Sequence, residues 1–569
     1  MIFNKKVSSL LSSKTNNAKN LFVQEGLKSS SETVSENDAL KYSTSGNSFV
    51  DDFSSLSKYK APRSFEEVSQ TMQILYSQNP TDAVKMAIYV RLITRKCQIM
   101  QYEKKAKTLE DVQRGQGLRN EGIMRMLWLA IYHPNVLKNN IPLFIAAGSW
   151  KDIITMMNLD LQYHGWDNRQ LDWSFLRVVL QAGLLNPNTS QLVRKYLPTI
   201  RTNAKCTTLE SQADTLIGRW LAKQFFPKDE KFVAYKKYRQ LKAKGTAHQW
   251  QQLISKQLYK QLDFDKIAGR ALALLVGSKF LKNHNLIEKY SQWISSKPVA
   301  KYTGFVFELF KPLDTYTGWD WSTPSVEPHV KATINAQFAQ LVQTGKEGVN
   351  TNSGLLVVRD TSGSMGSEVP GCKMSAFAVA KAMALYFSEF LTGYFQDTFA
   401  EFNSDCKLHK WRGQTPVDKW INDKCNCVGN TDFQSVIDLF VKLRKQGIPE
   451  SEFPKGILCI SDGELDYCGK STNFRTAIAT LIDAGFSKEY VDNFRIILWD
   501  IPNEYYGKPT TKFEDFADAP NFFYMSGFDP SAISFIMEGT EFKRTPRNAE
   551  ELFKVAMDQD LLNLLKVLD

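Results

Sequence analysis

From Ser64 onward, apolar residues recur at spacings of three and four, the mark of helices that bury one face. Ser64 and Glu67 stand at capping-box spacing ahead of Val68, Met72, Ile74 and Leu75, which predicts a helix start. Further helical segments are predicted over residues 83–102, 122–131, 141–147, 150–159, 175–184, 214–223, 250–259 and 266–280. Period-two alternation is scarce before Gly354. Helices of about 10 to 20 residues between Gly, Pro and Asn turns predict stacked helix pairs. No strict repeat length is present, so the expected form is an irregular α-helical repeat.

After about residue 345 the pattern changes. Residues 354–358 form a short apolar strand that ends in a polar loop, Asp360 to Gly366. A helix over 373–391 follows, then strands over 398–402, 457–460, 494–499 and 522–525, with helices over 433–445, 474–484 and 530–537. Short apolar strands alternating with helices predict an α/β doubly wound, Rossmann-like parallel sheet, with its ligand crevice beyond the strands' carboxyl ends. The expected division is a mobile or extended arm over 1–60, a helical-repeat domain over 61–345, an α/β domain over 346–545, and a C-terminal helix over 546–569 that packs back on the body.

Charge divides the chain the same way. The net charge is +11, yet residues 351–569 carry 23 basic and 31 acidic side chains, leaving 48 and 29 before them. A polyanion surface is therefore expected on the helical half alone. Between Lys231 and Lys260 stand eight Lys and Arg and no Asp or Glu, with Phe232, Tyr235, Tyr238, Trp250 and Tyr259 interleaved. Clustered cations hold phosphates, and aromatic faces stack on unpaired bases. The RNA-binding candidates are Lys231, Lys236, Lys237, Arg239, Lys242 and Lys244. Arg114 and Arg119 join them, flanking glycines that either admit a phosphate or end a helix. The competing reading of the 231–260 stretch is a solvated helix face with its aromatics in the core.

Eight cysteines in 569 residues make no disulfide scaffold, and Cys425-x-Cys427 lacks zinc-site spacing, so reduced thiols are expected. No run reaches the roughly 18 apolar residues of a membrane span, and residues 1–22 lack a secretory h-region. The expected compartment is the cytoplasm, with no membrane partner.

The loop after the first α/β strand carries the sharpest chemistry. Asp360, Ser362 and Ser364 put one carboxylate and two hydroxyls on a single tight turn. Two later loops add Thr431, in Gly429-Asn430-Thr431-Asp432, and Asp462, in Ser461-Asp462-Gly463-Glu464. Mg²⁺ takes six hard oxygens at about 2.0–2.1 Å and keeps several waters. Held by so few carboxylates, it stays under-neutralised and attracts an incoming anion. The alternative is a loop that holds no ion, with acids that cap helices. No histidine lies in these five positions, and His409, the nearest, falls on a predicted hairpin. With no nucleophile beside a base, no enzyme is expected.

The five positions resemble the metal-ion-dependent adhesion site of von Willebrand A domains. That resemblance implies Mg²⁺, or another divalent cation such as Mn²⁺, on Asp360, Ser362, Ser364, Thr431 and Asp462, with a partner's acidic residue at the open position. The order of parts resembles the Ro autoantigen family, a TROVE helical-repeat module (HEAT-like) followed by a von Willebrand A domain. It is closer still to an uncharacterised branch of bacteriophages, large viruses, bacteria and plants. The stretches that carry this are residues 38–53 (DALKYSTSGNSFVDDF), 111–130 (DVQRGQGLRNEGIMRMLWLA) with His133-Pro134, 148–152 (GSWKD), 263–290 and 524–537. Gly269-Arg270-Ala271-Leu272 stands where the family tends to have a Pro-Ser pair, and the RNA candidates rest on charge, not on alignment. The resemblance implies a helical ring joined by the A domain, RNA binding without catalysis to small structured or misfolded RNA, a monomer, and a host-cell cytoplasm if the source is viral. The alternative is a protein-interaction scaffold, or a virion or assembly component, that binds a partner carboxylate through the metal.

Overall fold

The computed structural model describes residues 32–34, 40–42, 46–56, 63–99, 107–245, 249–302, 304–314, 325–348, 354–369, 372–424, 427–462, 465–466, 473–501, 522–526 and 549–567. A short antiparallel pair, β1 (Glu32–Val34) and β2 (Leu40–Tyr42), precedes the helices. The helical half comprises α1 (Ser48–Ser55), α2 (Phe65–Gln78), α3 (Pro80–Arg91), α4 (Arg119–Tyr132), α5 (Pro134–Ala147), α6 (Trp150–His164), α7 (Trp173–Leu185), α8 (Ser190–Tyr196), α9 (Leu209–Phe225), α10 (Lys231–Ala243), α11 (Gln249–Ser255), α12 (Gly269–Val276), α13 (Phe280–Asn283), α14 (Ile287–Ser295), α15 (Val306–Phe310) and α16 (Pro328–Gly348). Sequence neighbours such as α2 and α3, α4 and α5, and α9 and α10 pack on one another.

The capping box expected at Ser64 is present: the Glu67 N–H donates to Ser64 Oγ at 3.2 Å and the Ser64 N–H to Glu67 Oε2 at 2.7 Å. The GSWKD stretch has a physical basis of the same kind. Asp152 accepts from the Ser149 N–H at 2.8 Å, starting α6, and its Oδ2 also lies 2.7 Å from the buried Arg91 Nη2. Gly183 on α7 lies against the Trp150 ring, where a Cβ would stand 2.5 Å from Cη2. Asp52, from the stretch 38–53, pairs with the buried Arg125 at 2.6 Å, and Arg125 Nε reaches Glu121 at 2.9 Å.

Four helical expectations need correction. The segment 83–102 is helical only to Arg91, and β3 (Ile93–Ile99) then pairs antiparallel with β4 (Lys107–Gln116). Lys96, Cys97, Gln98 and Ile99 alternate between exposed and buried, and this cross-strand pairing prevails over the helical reading. The segment 250–259 ends as an α-helix at Ser255, and 266–280 breaks into a 3₁₀ turn (Phe264–Lys266), α12 and α13, interrupted at Gly277. The helix expected over 546–569 is two, α22 (Ala549–Met557) and α23 (Asp560–Asn563) in chain order. The helix expected over 530–537 lies outside the described residues.

The second half is built on one six-stranded sheet, ordered β10-β9-β8-β5-β6-β7. Its strands are β5 (Leu355–Asp360), β6 (Thr398–Phe402), β7 (Cys406–Lys410), β8 (Gly456–Ser461), β9 (Arg495–Asp500) and β10 (Phe522–Ser526). All pairs are parallel except β6 with β7, a hairpin at one edge that carries His409. Both faces are buried, which is why these strands read as continuous apolar runs. Leu355 and Val357 join one apolar cluster, Leu356 and Val358 the other. Helix α17 (Ala376–Ser388) covers the first face, while α19 (Gln434–Lys445) and α20 (Asn473–Asp483) cover the second.

Both ends of the helical half meet this α/β part. At one end α15 packs on α17, and α16 on α18 (Pro416–Asn422), with Phe310 stacked on Trp420 at 4.7 Å. At the other, α22 packs on α1, α3 and β10, while α23 packs on α3 and β4. Phe553 packs on Phe49 and Phe53, each at 5.7 Å between centroids. Gln559 clamps the Arg114 backbone in both directions, accepting from its N–H at 2.6 Å and donating to its carbonyl at 2.9 Å. Asn140 does the same for Lys566, at 2.9 and 2.7 Å. Among the described residues, no helix is long and apolar enough to cross a membrane.

Candidate metal centre and basic surface

Strand β5 lies between β6 and β8, and its carboxyl end delivers Asp360 beside Ser461 at the end of β8. Asp360 is fully buried. It accepts from the Ser362 N–H at 2.7 Å through Oδ1 and from Ser461 Oγ at 2.6 Å through Oδ2. A 3₁₀ turn over Gly363–Gly366 follows at once and holds Ser362 Oγ 3.2 Å from Ser364 Oγ. Burial, and next to it the Asp462 carboxylate, raise the Asp360 pKa well above the ordinary carboxylate range. The Thr431 loop is pinned on both sides. The Val428 N–H donates to the Thr361 carbonyl at 2.8 Å, and Thr431 and Asp466 exchange bonds of 3.1 Å and 2.9 Å.

Asp360, Ser362, Ser364, Thr431 and Asp462 thus sit on three loops bound to one another at the sheet's carboxyl edge, four of them buried and Ser364 half-buried. Two carboxylates that repel in a buried site and three hydroxyls within the same loops are the donor chemistry of a small hard cation. A divalent ion there would relieve the Asp360–Asp462 repulsion. Sequence reasoning missed Ser461 and Asp466, which orient the first and second loops. Their signal was position, Ser461 closing a buried strand and Asp466 four residues beyond Asp462.

Beneath the Asp360–Gly366 loop lies a second charged group that the sequence reading also missed. Arg359 points to the opposite side of β5 from its neighbour Asp360 and is wholly buried. It donates to Glu401 Oε1 through Nε at 3.0 Å and to both Asp423 oxygens at 2.6 and 2.8 Å. The guanidinium lies 4.2 Å from the Phe399 ring centroid and 4.9 Å from that of Phe377. Burial pushes Glu401 up, but the Arg359 charge, with hydrogen bonds from His409 and Arg359, more than offsets it and holds the carboxyl at about 2, against an ordinary value of 4.5. A depressed carboxylate contributes stability that is full above pH 4.5 and lost as pH falls toward 2, here roughly 3 kcal/mol. Melting curves between those limits are expected to show this loss in the wild type and a shallower acid limb in Glu401→Gln.

The basic candidates divide by environment. Helix α10 is anchored through Ala234, Tyr235 and Tyr238, whose hydroxyl donates to the Pro198 carbonyl at 3.0 Å. Lys236 and Arg239 are exposed on its outer side, Lys231 is exposed at its first turn and Lys244 at its C-cap. Lys237 instead pairs with Asp229 at 2.7 Å. Lys242 turns inward, donating to the Leu197 and Lys195 carbonyls at the end of α8, and burial lowers its pKa. It caps that helix. Arg114 lies on β4 with its backbone held by Gln559, and Arg119 is exposed at the first turn of α4.

A family model described as a domain of unknown function (DUF7788) matches residues 355–563, from β5 to the end of α23. No curated protein matches the chain. Among solved structures, the crystal structure of the Ro (RSR) protein of Deinococcus radiodurans aligns at a TM-score of 0.43 and 13% identity. That alignment covers 85% of this chain and 94% of the other.

Proposed function

We propose that this chain is a non-catalytic RNA-binding protein of the Ro type, with a Mg²⁺-dependent von Willebrand A-like domain that docks a partner or fastens the helical half. The observation that carries the RNA reading is the run of exposed cations along α10, Lys231, Lys236, Arg239 and Lys244, in a stretch without acids. It belongs to a half-chain with 48 basic and 29 acidic residues, set beside an acidic α/β part. In the metal domain, Asp360, Ser362, Ser364 and Thr431 would hold the ion, with Asp462 binding directly or through water. When bound, the ion supplies a positive charge that an incoming carboxylate completes.

Mobility shifts with structured and single-stranded RNA test the first part. At 50 mM salt the wild type is expected to bind, and Lys236→Glu with Arg239→Glu and Lys244→Glu to lose tenfold or more. The slope of log K against log salt is expected to become shallower by about 0.7 for each single-strand phosphate contact removed. Unchanged binding by the triple variant would return α10 to a solvated face.

A second reading, a scaffold that captures a partner carboxylate at the metal, is favoured by the rim of the site. Val428 is 49% exposed there, and Gly363 is exposed on the metal loop. A partner's acidic side chain would complete the ion's coordination, with Val428 at the edge of that contact.

A further inference from the structure

Resting on the RNA reading above, we propose that Phe232 is a stacking platform for an unpaired base. Lys236 and Arg239 hold the adjoining phosphates, so that α10 takes a single-stranded segment of RNA. Phe232 is 79% exposed, an unusual position for a ring whose burial ordinarily gains about 1.5–3 kcal/mol. Its orientation is set by the helix. Ala234, Tyr235 and Tyr238 are buried on the inner side, so positions 232, 236 and 239 fall on the outer one, at i, i+4 and i+7.

The cations around the ring are available to a ligand. Lys231 Nζ lies 5.8 Å from the Phe232 centroid, and Lys236 and Arg239 are exposed over the next two turns. Of the two nearest acids, Asp229 is taken by Lys237, and Glu230 stands at the N-cap of α10. A membrane surface would need the apolar stripe to continue. Beyond Val233 the exposed positions are Lys236, Lys237, Arg239, Gln240, Ala243 and Lys244, which it does not. One exposed ring among phosphate-binding cations is instead the composition of a single-strand site. A base inside a duplex cannot offer its face, while an unpaired one can.

The test uses the full chain and a uridine oligonucleotide carrying 4-thiouridine, beside a duplex of equal length. Photocross-linking is expected to map to the peptide that contains Phe232. Phe232→Ala is expected to weaken the single strand about tenfold and leave the duplex unchanged, while Phe232→Trp restores binding. If the wild type binds the oligonucleotide but Phe232→Ala binds it equally, or the cross-link maps elsewhere, the platform is wrong and the RNA reading stands. If the wild type binds no RNA at low salt, both fall. Polyglutamate that binds in its place, with loss in Phe232→Ala, would assign this face to an acidic protein and overturn the proposal.

Discussion

In calorimetric titration, Asp360→Ala is expected to take up no Mg²⁺, where the wild type binds one ion. Asp360 is the buried centre of the donor set, hydrogen-bonded to the Ser362 N–H and to Ser461 and sharing its charge environment with Asp462. Removing it leaves three hydroxyls and one carboxylate, too little charge to draw Mg²⁺ from its waters. Linkage supplies a second readout. At 100 times its Kd, a ligand that binds only the folded state adds about 2.7 kcal/mol, so Mg²⁺ is expected to raise the wild-type melting temperature by several degrees. The variant is expected to show no such rise while its helical half keeps its circular dichroism. Equal uptake by wild type and variant would refute the metal assignment. A pull-down in Mg²⁺ against EDTA extends the test to the scaffold reading, since a partner retained equally in both owes nothing to the ion.

Leu561→Ala with Leu562→Ala is expected to be strongly destabilising. Both side chains are fully buried, and each truncation in such a position costs about 2–5 kcal/mol. The loss would fall on distant parts of the chain. α23 packs on α3 and β4, and the Leu561 N–H donates to Gln113 Oε1 at 2.9 Å. Hydrogen exchange is therefore expected to quicken in β3, β4 and α3 while β5 and β8 stay protected. Uniform quickening, or none in the hairpin, would show that α23 does not hold it.

Legibility followed the range of the forces involved. The capping box at Ser64 and the apolar strands of the sheet are set by neighbours a few residues away, and both are where local pattern places them. Four of the five metal candidates stand at or just beyond the ends of β5 and β8, where the α/β pattern places a crevice, while Thr431 lies on the loop before α19. The β3–β4 hairpin was not, because Ile93 to Ile99 become a strand only through pairing with residues beyond Lys107. Charge misled for a related reason. Lys242 and Lys237 count as cations in a sum over the sequence, but one caps α8 and the other answers Asp229, and only tertiary placement separates them from Lys236 and Arg239. Arg359 was hidden inside an apolar run, its partners Glu401 and Asp423 lying 42 and 64 residues downstream.

The clamp of Gln559 on Arg114 spans 445 residues of chain and imposes an order on biosynthesis. At ribosomal speeds of roughly 5–20 residues per second, α1 and the hairpin would wait roughly 20 to 90 seconds for their partner to be translated. Phe49 and Phe53 lack the Phe553 ring during that interval, while Tyr89 of α3 is already made to pack on Phe53. Helix α1 is therefore made well before α22, the helix that completes its packing, and its folding ends only when that helix docks.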